Sequence, residues 1–322
     1  MRRGTALVLC LAACVGEPRD EPRVTVTIPR GASIDVAVES LAARGLVRSR
    51  SLFRMYARTH GLPGALKSGV YTFRPREPWR TVVATLKRGR GDEIRFTVPE
   101  GLMLTEVAEV TRRQLGVPRE SLLAAAGAPQ RLNELGIPDG AQTVEGYLFP
   151  TTYVVPVGVH AGDLVRVMTR QFAANWPSAW NARLRGLGMT RHQIVTLASI
   201  IQAEVRYPPD GGYVSAVYHN RLKRRMALQA DPTVIYAHGR RLRRVYEKHL
   251  QLRSPYNTYR NVGLPPGPIG QPGLASLRAA LYPADAPYLY FVARSDGKHV
   301  FSVTYREHLA AISEIRRGRP RR

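Results

Sequence analysis

The chain has 322 residues, with 48 Lys and Arg against 24 Asp and Glu, giving a net charge of +24. Apolar content of 44% and charged content of 22% are globular values, which excludes wholesale disorder. A positive surplus of this size calls for a polyanionic neighbour, whether nucleic acid, anionic lipid headgroups or a wall polymer bearing carboxylates. Arg2 and Arg3 open the chain as a basic n-region, and the apolar run Thr5 to Val15 follows. Eleven residues are too few to cross ~30 Å of hydrocarbon as a helix, so the run is read as a signal h-region. Leu11-Ala12-Ala13-Cys14 resembles a lipoprotein cleavage box, and acylation of Cys14 would tether the chain to a membrane. The alternatives are an ordinary signal peptide or the end of a longer transmembrane helix. Cys10 and Cys14 are the only cysteines, so the folded body has no disulfide, cysteine-ligated zinc or cysteine nucleophile.

Residues 14–22 read as a polar linker. Arg23 to Ile28 alternates as a strand, Ser33 caps a helix through Leu41, and Gly45 ends it. A second helix is expected around Leu52 to Ala57, then a strand over Gly69 to Phe73 and a helix from Pro78 to Gly89. The order β-α-α-β over residues 23–92 resembles a LysM module, a small glycan-binding fold. Ile94, Phe96 and Val98 begin a larger mixed domain, residues 93–316, with a helix after Thr105 and a loop-rich stretch from Gly127 to Gly140. Tyr147, Phe149 and Tyr153 read as core aromatics. Further helices are expected over Asp163 to Trp180 and Thr190 to Val205. Gly263 to Gly273 is a Pro- and Gly-dense shaped loop. Tyr288 to Ala293 and Lys298 to Val303 form a hairpin across Asp296-Gly297. Residues 317–322 are a basic tail. The fold class expected is α+β, a LysM-like module followed by a larger catalytic domain.

Thr190-Arg191-His192-Gln193 fits a capping box. Ile194, Leu197, Ala198, Ile200 and Ile201 then follow helical spacing, and at ~100° per residue Glu204 falls on the same apolar face. Pro208 and Pro209 end the helix just beyond it. Apolar neighbours and the negative end of the helix dipole both raise the pKa of such a carboxyl. A raised carboxyl is what protonation of a glycosidic oxygen near neutral pH requires. On spacing alone, a core-edge Glu paired with Arg206 or Arg221 is the more ordinary reading.

The motifs extend well beyond this helix. LASIIQAEV (Leu197 to Val205), HNRL (His219 to Leu222), MALQADPTVIYA (Met226 to Ala237) and SPYNTYRNVGLPPGPIGQPGLASLRAALYPA (Ser254 to Ala284) are similar to segments of the MltG-type, YceG-like endolytic murein transglycosylases. EGYLFPTTY (Glu145 to Tyr153), PEGLML (Pro99 to Leu104), SGVYTF (Ser68 to Phe73) and YLYFVA (Tyr288 to Ala293) continue the resemblance, which covers roughly residues 24 to 313. The resemblance implies that Glu204 is the acid and base of a lytic transglycosylase. That enzyme cleaves the bond between N-acetylmuramic acid and N-acetylglucosamine without water, leaves 1,6-anhydro ends, and needs no metal or cofactor. It implies peptidoglycan strands as substrate and a membrane-anchored catalytic domain facing the periplasm. Its setting would be beside peptidoglycan synthases, where it limits strand length. Within the matching segments, Asn220, Gln229, Asp231, Tyr256 and Asn257 are candidate substrate contacts, and Glu145 is a possible second carboxylate or a loop-positioning residue. Gln202 and Gln271 depart from the family's usual Glu and Asn, and a lipobox replaces its transmembrane helix.

His192, His219, His238, His249, His299 and His308 show no paired metal-ligand spacing. Arg240-Arg241-Leu242-Arg243-Arg244 is a basic cluster without the recognition motif a nucleic-acid binder needs. The competing readings are a hydrolase of the same bond and a non-catalytic peptidoglycan-binding lipoprotein.

Overall fold

The computed structural model describes residues 24–29, 31–89, 93–137 and 142–317. The expected signal segment, the lipidation site Cys14, the linker and all but Arg317 of the basic tail lie outside the described residues. The chain divides into two compact units, Met1–Glu93 and Ile94–Arg322. Both mix helices with small two-stranded sheets, so the class is α+β.

The first unit runs β1 (Val24–Ile28), α1 (Ile34–Ala43), α2 (Arg50–Thr59), β2 (Gly69–Phe73) and α3 (Trp79–Arg88). β1 and β2 pair antiparallel with Val24 opposite Phe73 and Ile28 opposite Gly69. Alternation puts Val26 and Ile28 inward, against Val38, Leu41, Phe53, Tyr71, Val82 and Leu86. Ser33 caps α1 by accepting from the Val36 N–H.

The second unit begins with β3 (Glu93–Thr97), which pairs with β4 (Thr152–Pro156). Between them lie α4 (Leu104–Leu115), α5 (Arg119–Ala126) and α6 (Pro129–Leu135). The stretch expected to be loop-rich therefore contains a short helix, started by Pro129 at its first position, where proline costs no hydrogen bond. The single helix expected over Asp163 to Trp180 is two, α7 (Ala161–Ala174) and α8 (Ala179–Leu187). Pro177 divides them because it disfavours helical geometry in Trp176 and offers no N–H. Tyr147, Phe149 and Tyr153 are buried in the core.

α9 (Arg191–Glu204) is the centre of this unit, buried from Ile194 to Ile201. α10 (Gly211–Lys223), α11 (Asp231–Ala237) and α13 (Leu274–Leu281) pack on it, while α12 (Glu247–Leu250) is a single turn in the connection between α11 and α13. The capping box forms as expected: Thr190 Oγ1 accepts from the Gln193 N–H at 3.2 Å, and Gln193 Oε1 accepts from the Thr190 N–H at 2.8 Å. The proline-rich loop before α13 runs along α9 and is tied to it at three points. His192 Nε2 lies 3.0 Å from the Pro266 carbonyl, Ser199 Oγ accepts from the Ile269 N–H at 3.0 Å, and Gln202 Oε1 accepts from the Gly273 N–H at 3.0 Å. The unit closes with the hairpin β5 (Tyr290–Ala293) and β6 (His299–Ser302), then α14 (Tyr305–Arg317).

Candidate active site

Glu204 is the last residue of α9, and Val205 leaves helical geometry immediately after it. Ile200 and Ile201, one turn back, are buried, and the carboxyl sits half-buried at the helix's carbonyl end. Burial, followed by the negative charge of Asp231, pushes its pKa up from the usual 4.5 to about 7. One hydrogen bond opposes this: the Tyr218 hydroxyl, from α10, donates to Glu204 Oε1 at 3.3 Å. Tyr218 is 1% exposed, edge-on to Phe291. The arginine pairing left open by the sequence is not formed among the described residues. Arg221 instead donates to the carbonyls of Leu289, Ala227 and Leu228 and lies over the Tyr290 ring.

Asp231, the first residue of α11, is exposed, and its Oδ1 accepts from the Tyr259 hydroxyl at 2.6 Å. Two short segments are clamped together to hold this pair. The Gln229 N–H donates to the Thr258 carbonyl at 3.1 Å, the Ala230 N–H to Thr258 Oγ1 at 3.0 Å, and Thr233 Oγ1 lies 2.8 Å from Thr258 Oγ1. Gln229 itself has φ +49, an uncommon left-handed conformation for a residue with a side chain. Strain of that kind persists only where the surroundings impose it, and here it turns the chain directly before Asp231.

Of the six further candidates, only Asp231 and Gln229 are exposed, and only Asp231 lies near enough for its charge to act on Glu204. Tyr256 is half-buried, its ring 4.8 Å from that of Tyr236. The polar atoms of the other three are engaged within the protein itself. Asn257 is fully buried, and its Nδ2 donates to the Leu250 and Leu252 carbonyls, both at 2.8 Å, while its Oδ1 accepts from the Tyr259 N–H. It shapes the loop carrying Tyr259 and has no surface to offer a sugar. Asn220 Nδ2 donates to the Ala286 and Tyr288 carbonyls at 2.8 and 2.9 Å, tying α10 to the chain entering β5. Glu145 is buried away from solvent. Its oxygens accept from the Leu104 N–H at the start of α4, from the Tyr236 hydroxyl at 3.3 Å and from Gln271 Nε2. Burial outweighs these donors and raises it to about 8. It is a junction between loops, the second of the two roles the sequence allowed.

Gln271 completes that junction. It is 0% exposed, and its Oε1 accepts from the Leu148 N–H at 3.0 Å. Its backbone brackets the 99–104 segment through Gly101 N–H to Gln271 O and Gln271 N–H to Leu102 O. Gln202 faces away from Glu204, toward Gly273 and Ser276. A cavity of about 560 Å³ lined by His192, Thr196, His219, Leu222 and Pro266 lies at the amino end of α9. Both of its histidines point a ring nitrogen at a backbone carbonyl, and it is remote from Glu204. Among the described residues, no cluster of three or more His, Cys, Asp or Glu could hold a metal ion, and no helix is long and apolar enough to cross a membrane.

Tyr218 and Tyr259 are the site residues that the sequence reasoning missed. Tyr218 directly precedes HNRL and Tyr259 lies inside SPYNTYRN, so both stood within reach of the motifs. Their hydroxyls meet carboxylates only through the packing of α9, α10 and α11.

The model of the YceG-like family matches residues 26–314. An endolytic murein transglycosylase of Bacillus subtilis is 32% identical over 306 residues, covering 91% of this chain and 84% of that protein. One from Streptococcus pneumoniae serotype 2 is 29% identical, covering 90% of this chain and 58% of that longer protein. The crystal structure of a YceG-like protein from Listeria monocytogenes superposes with a TM-score of 0.63 at 30% identity, over 91% of this chain and all of that one. With the family model spanning nearly the whole chain, this protein belongs to the YceG-like family.

Proposed function

We propose that this protein is an endolytic murein transglycosylase, a lyase that cuts peptidoglycan glycan strands internally. The observation carrying this reading is the placing of Glu204: a half-buried carboxyl at the end of the buried helix α9, pushed up to about 7 by burial and hydrogen-bonded by the Tyr218 hydroxyl. Such a group donates its proton to the oxygen bridging N-acetylmuramic acid and N-acetylglucosamine as that bond breaks. Ionised, it then takes the proton of the muramoyl 6-hydroxyl, whose oxygen closes on C1 and leaves a 1,6-anhydro end. One protein carboxyl serves both steps because the nucleophile belongs to the substrate, unlike glycosidases that place two carboxyls across the bond.

The first unit, with two helices between antiparallel strands, supports a LysM-like glycan-holding role. The reading extends to a lipid tether at Cys14, to a catalytic unit facing the periplasm, and to action near synthases, where it limits strand length. The net charge of +24 suits both anionic lipid and a carboxylate-bearing wall. Incubation of purified peptidoglycan with the wild type and Glu204→Gln tests the reading. The wild type shortens strands and the variant does not; equal cleavage by the variant removes Glu204 from the mechanism.

A further inference from the structure

Glu100, Gln202 and Arg278 line one cavity of about 490 Å³, together with Val205, Gly212 and Tyr282. Val205 directly follows Glu204, so the cavity adjoins the carbonyl end of α9. Its polar groups are held in place without being used up. Gln202 Oε1 accepts from the Gly273 N–H at 3.0 Å and from Ser276 Oγ at 2.8 Å. A backbone N–H can only donate, so the amide oxygen is fixed by that bond, and Nε2, with two hydrogens to give, has no partner among the described residues. The Glu100 carboxyl lies over Gly273, where a Cβ would collide with it. Glu100 and Arg278 are both exposed, and neither side chain forms a hydrogen bond or ion pair among the described residues. In a chain with 48 basic and 24 acidic residues, a carboxylate and an arginine thus border the same cavity and stay unpaired.

A ligand that satisfies both charges carries an ammonium and a carboxylate close together. We propose that this cavity binds the peptide stem of the glycan strand, taking the zwitterionic side-chain end of a diamino dicarboxylic residue in that stem. Glu100 accepts from its ammonium, Arg278 donates to its carboxylate, Gln202 Nε2 donates to a stem carbonyl, and the exposed ring of Tyr282 covers its methylene carbons. The proposal rests on the transglycosylase reading, in which Glu204 acts at C1 of the muramoyl ring while the stem hangs from O3 of the same ring. Three extended residues reach about 10 Å, and a helix is about 10–12 Å across. A stem leaving the Glu204 carboxyl therefore passes round the end of α9 to the face that Gln202 occupies. The volume is that of a small-ligand site. Nothing in the cavity touches the reacting atoms, so its contacts are the same in ground and transition states. Such contacts choose the strand and lower KM without raising kcat.

The test uses the full chain and two substrates, strands bearing diaminopimelate stems and the same strands stripped of stems by an amidase. Wild type should favour the stem-bearing strands. That preference, the ratio of the two kcat/KM values, should fall about fivefold in Arg278→Gln and in Glu100→Gln, through KM. Gln202→Glu keeps the acceptor for Gly273 and Ser276 but loses the Nε2 donor, and should lower the ratio about as much. Blocking the stem assigns each contact. Amidating its side-chain carboxylate should weaken cleavage by wild type and Glu100→Gln while leaving Arg278→Gln indifferent. Acetylating its ammonium should weaken wild type and Arg278→Gln while leaving Glu100→Gln indifferent. A packing defect produces no such crossing. Equal cleavage of both strand types by wild type overturns the proposal, as does an equal loss on both in the variants, or blocking that affects every protein alike. If wild type leaves no anhydro ends, the transglycosylase reading fails instead. Titration of the free stem tripeptide into wild type then still decides the cavity: binding weakened by Arg278→Gln sustains it, and no binding at millimolar peptide overturns it.

Discussion

Replacing Glu204 by glutamine should make the protein more stable at alkaline pH while destroying its activity. Burial and the Asp231 charge carry this carboxyl from the usual 4.5 to about 7 in the folded chain. Below about pH 4.5 folded and unfolded chains both hold the proton, and the residue costs nothing. Between that point and about pH 7 the unfolded chain releases its proton first, so stability falls as pH rises. Above about pH 7 both states are ionised and the cost of holding a charge in the cleft is complete. At about 1.4 kcal/mol per tenfold change in proton affinity, and with partial exposure, that cost is about 2–3 kcal/mol. Glutamine keeps the acceptor for Tyr218 and carries no charge. For a unit of this size, where 1 kcal/mol moves the midpoint by roughly 2–4 °C, the variant should melt about 4–12 °C above wild type near pH 8.5. Near pH 4 the two should agree within about 1 °C. Glu145 is also raised, to about 8, but it is present in both proteins and cancels in the difference. Thermal melts of both proteins across that range are the assay, and an offset independent of pH refutes the reasoning.

Tyr218→Phe removes the one hydrogen bond that favours ionised Glu204. The alkaline limb of activity should move to higher pH and the rate at neutral pH fall by less than about tenfold, read from a pH–rate profile. Gly146→Ala should cost about 2–4 kcal/mol in urea unfolding. Gly146 has φ +84, and a Cβ there would lie 2.5 Å from Pro268 and 2.9 Å from Val195, forcing the proline loop off α9. Asn257→Ala removes the buried amide that the Leu250 and Leu252 carbonyls accept from. It should cost about 2–3 kcal/mol in the same assay and, by loosening Tyr259, lower kcat more than it raises KM.

Glu204 was legible because helical phase and proline termination place a carboxyl at one end of an apolar face, and both are one-dimensional patterns. The capping box, the hairpin and most element positions were legible for the same reason. Polar residues inside the shared motifs were a different matter. Asp231 and Asn257 look equivalent in a string, yet one is exposed and bonded to the Tyr259 hydroxyl while the other holds its own backbone. The difference depends on where the Leu250 and Leu252 carbonyls fall in space. Glu145 required knowing that the amino end of α4, Tyr236 and Gln271 converge on it from three distant segments. Tyr218 and Tyr259 lie 14 and 28 residues from the carboxyls they hold, separations fixed only by the tertiary packing. The division between α7 and α8 was marked by Pro177 and obscured by continuous apolar periodicity on either side.

In the proposed reaction Glu204 moves a proton between two sugar oxygens with no water taking part. Digestion of purified peptidoglycan in water enriched in heavy oxygen, followed by mass spectrometry of the new chain ends, tests it most directly. Unlabelled ends one water lighter than reducing sugars are expected, and none from Glu204→Gln. Heavy oxygen incorporated at C1, or light ends still released by the variant, contradicts it.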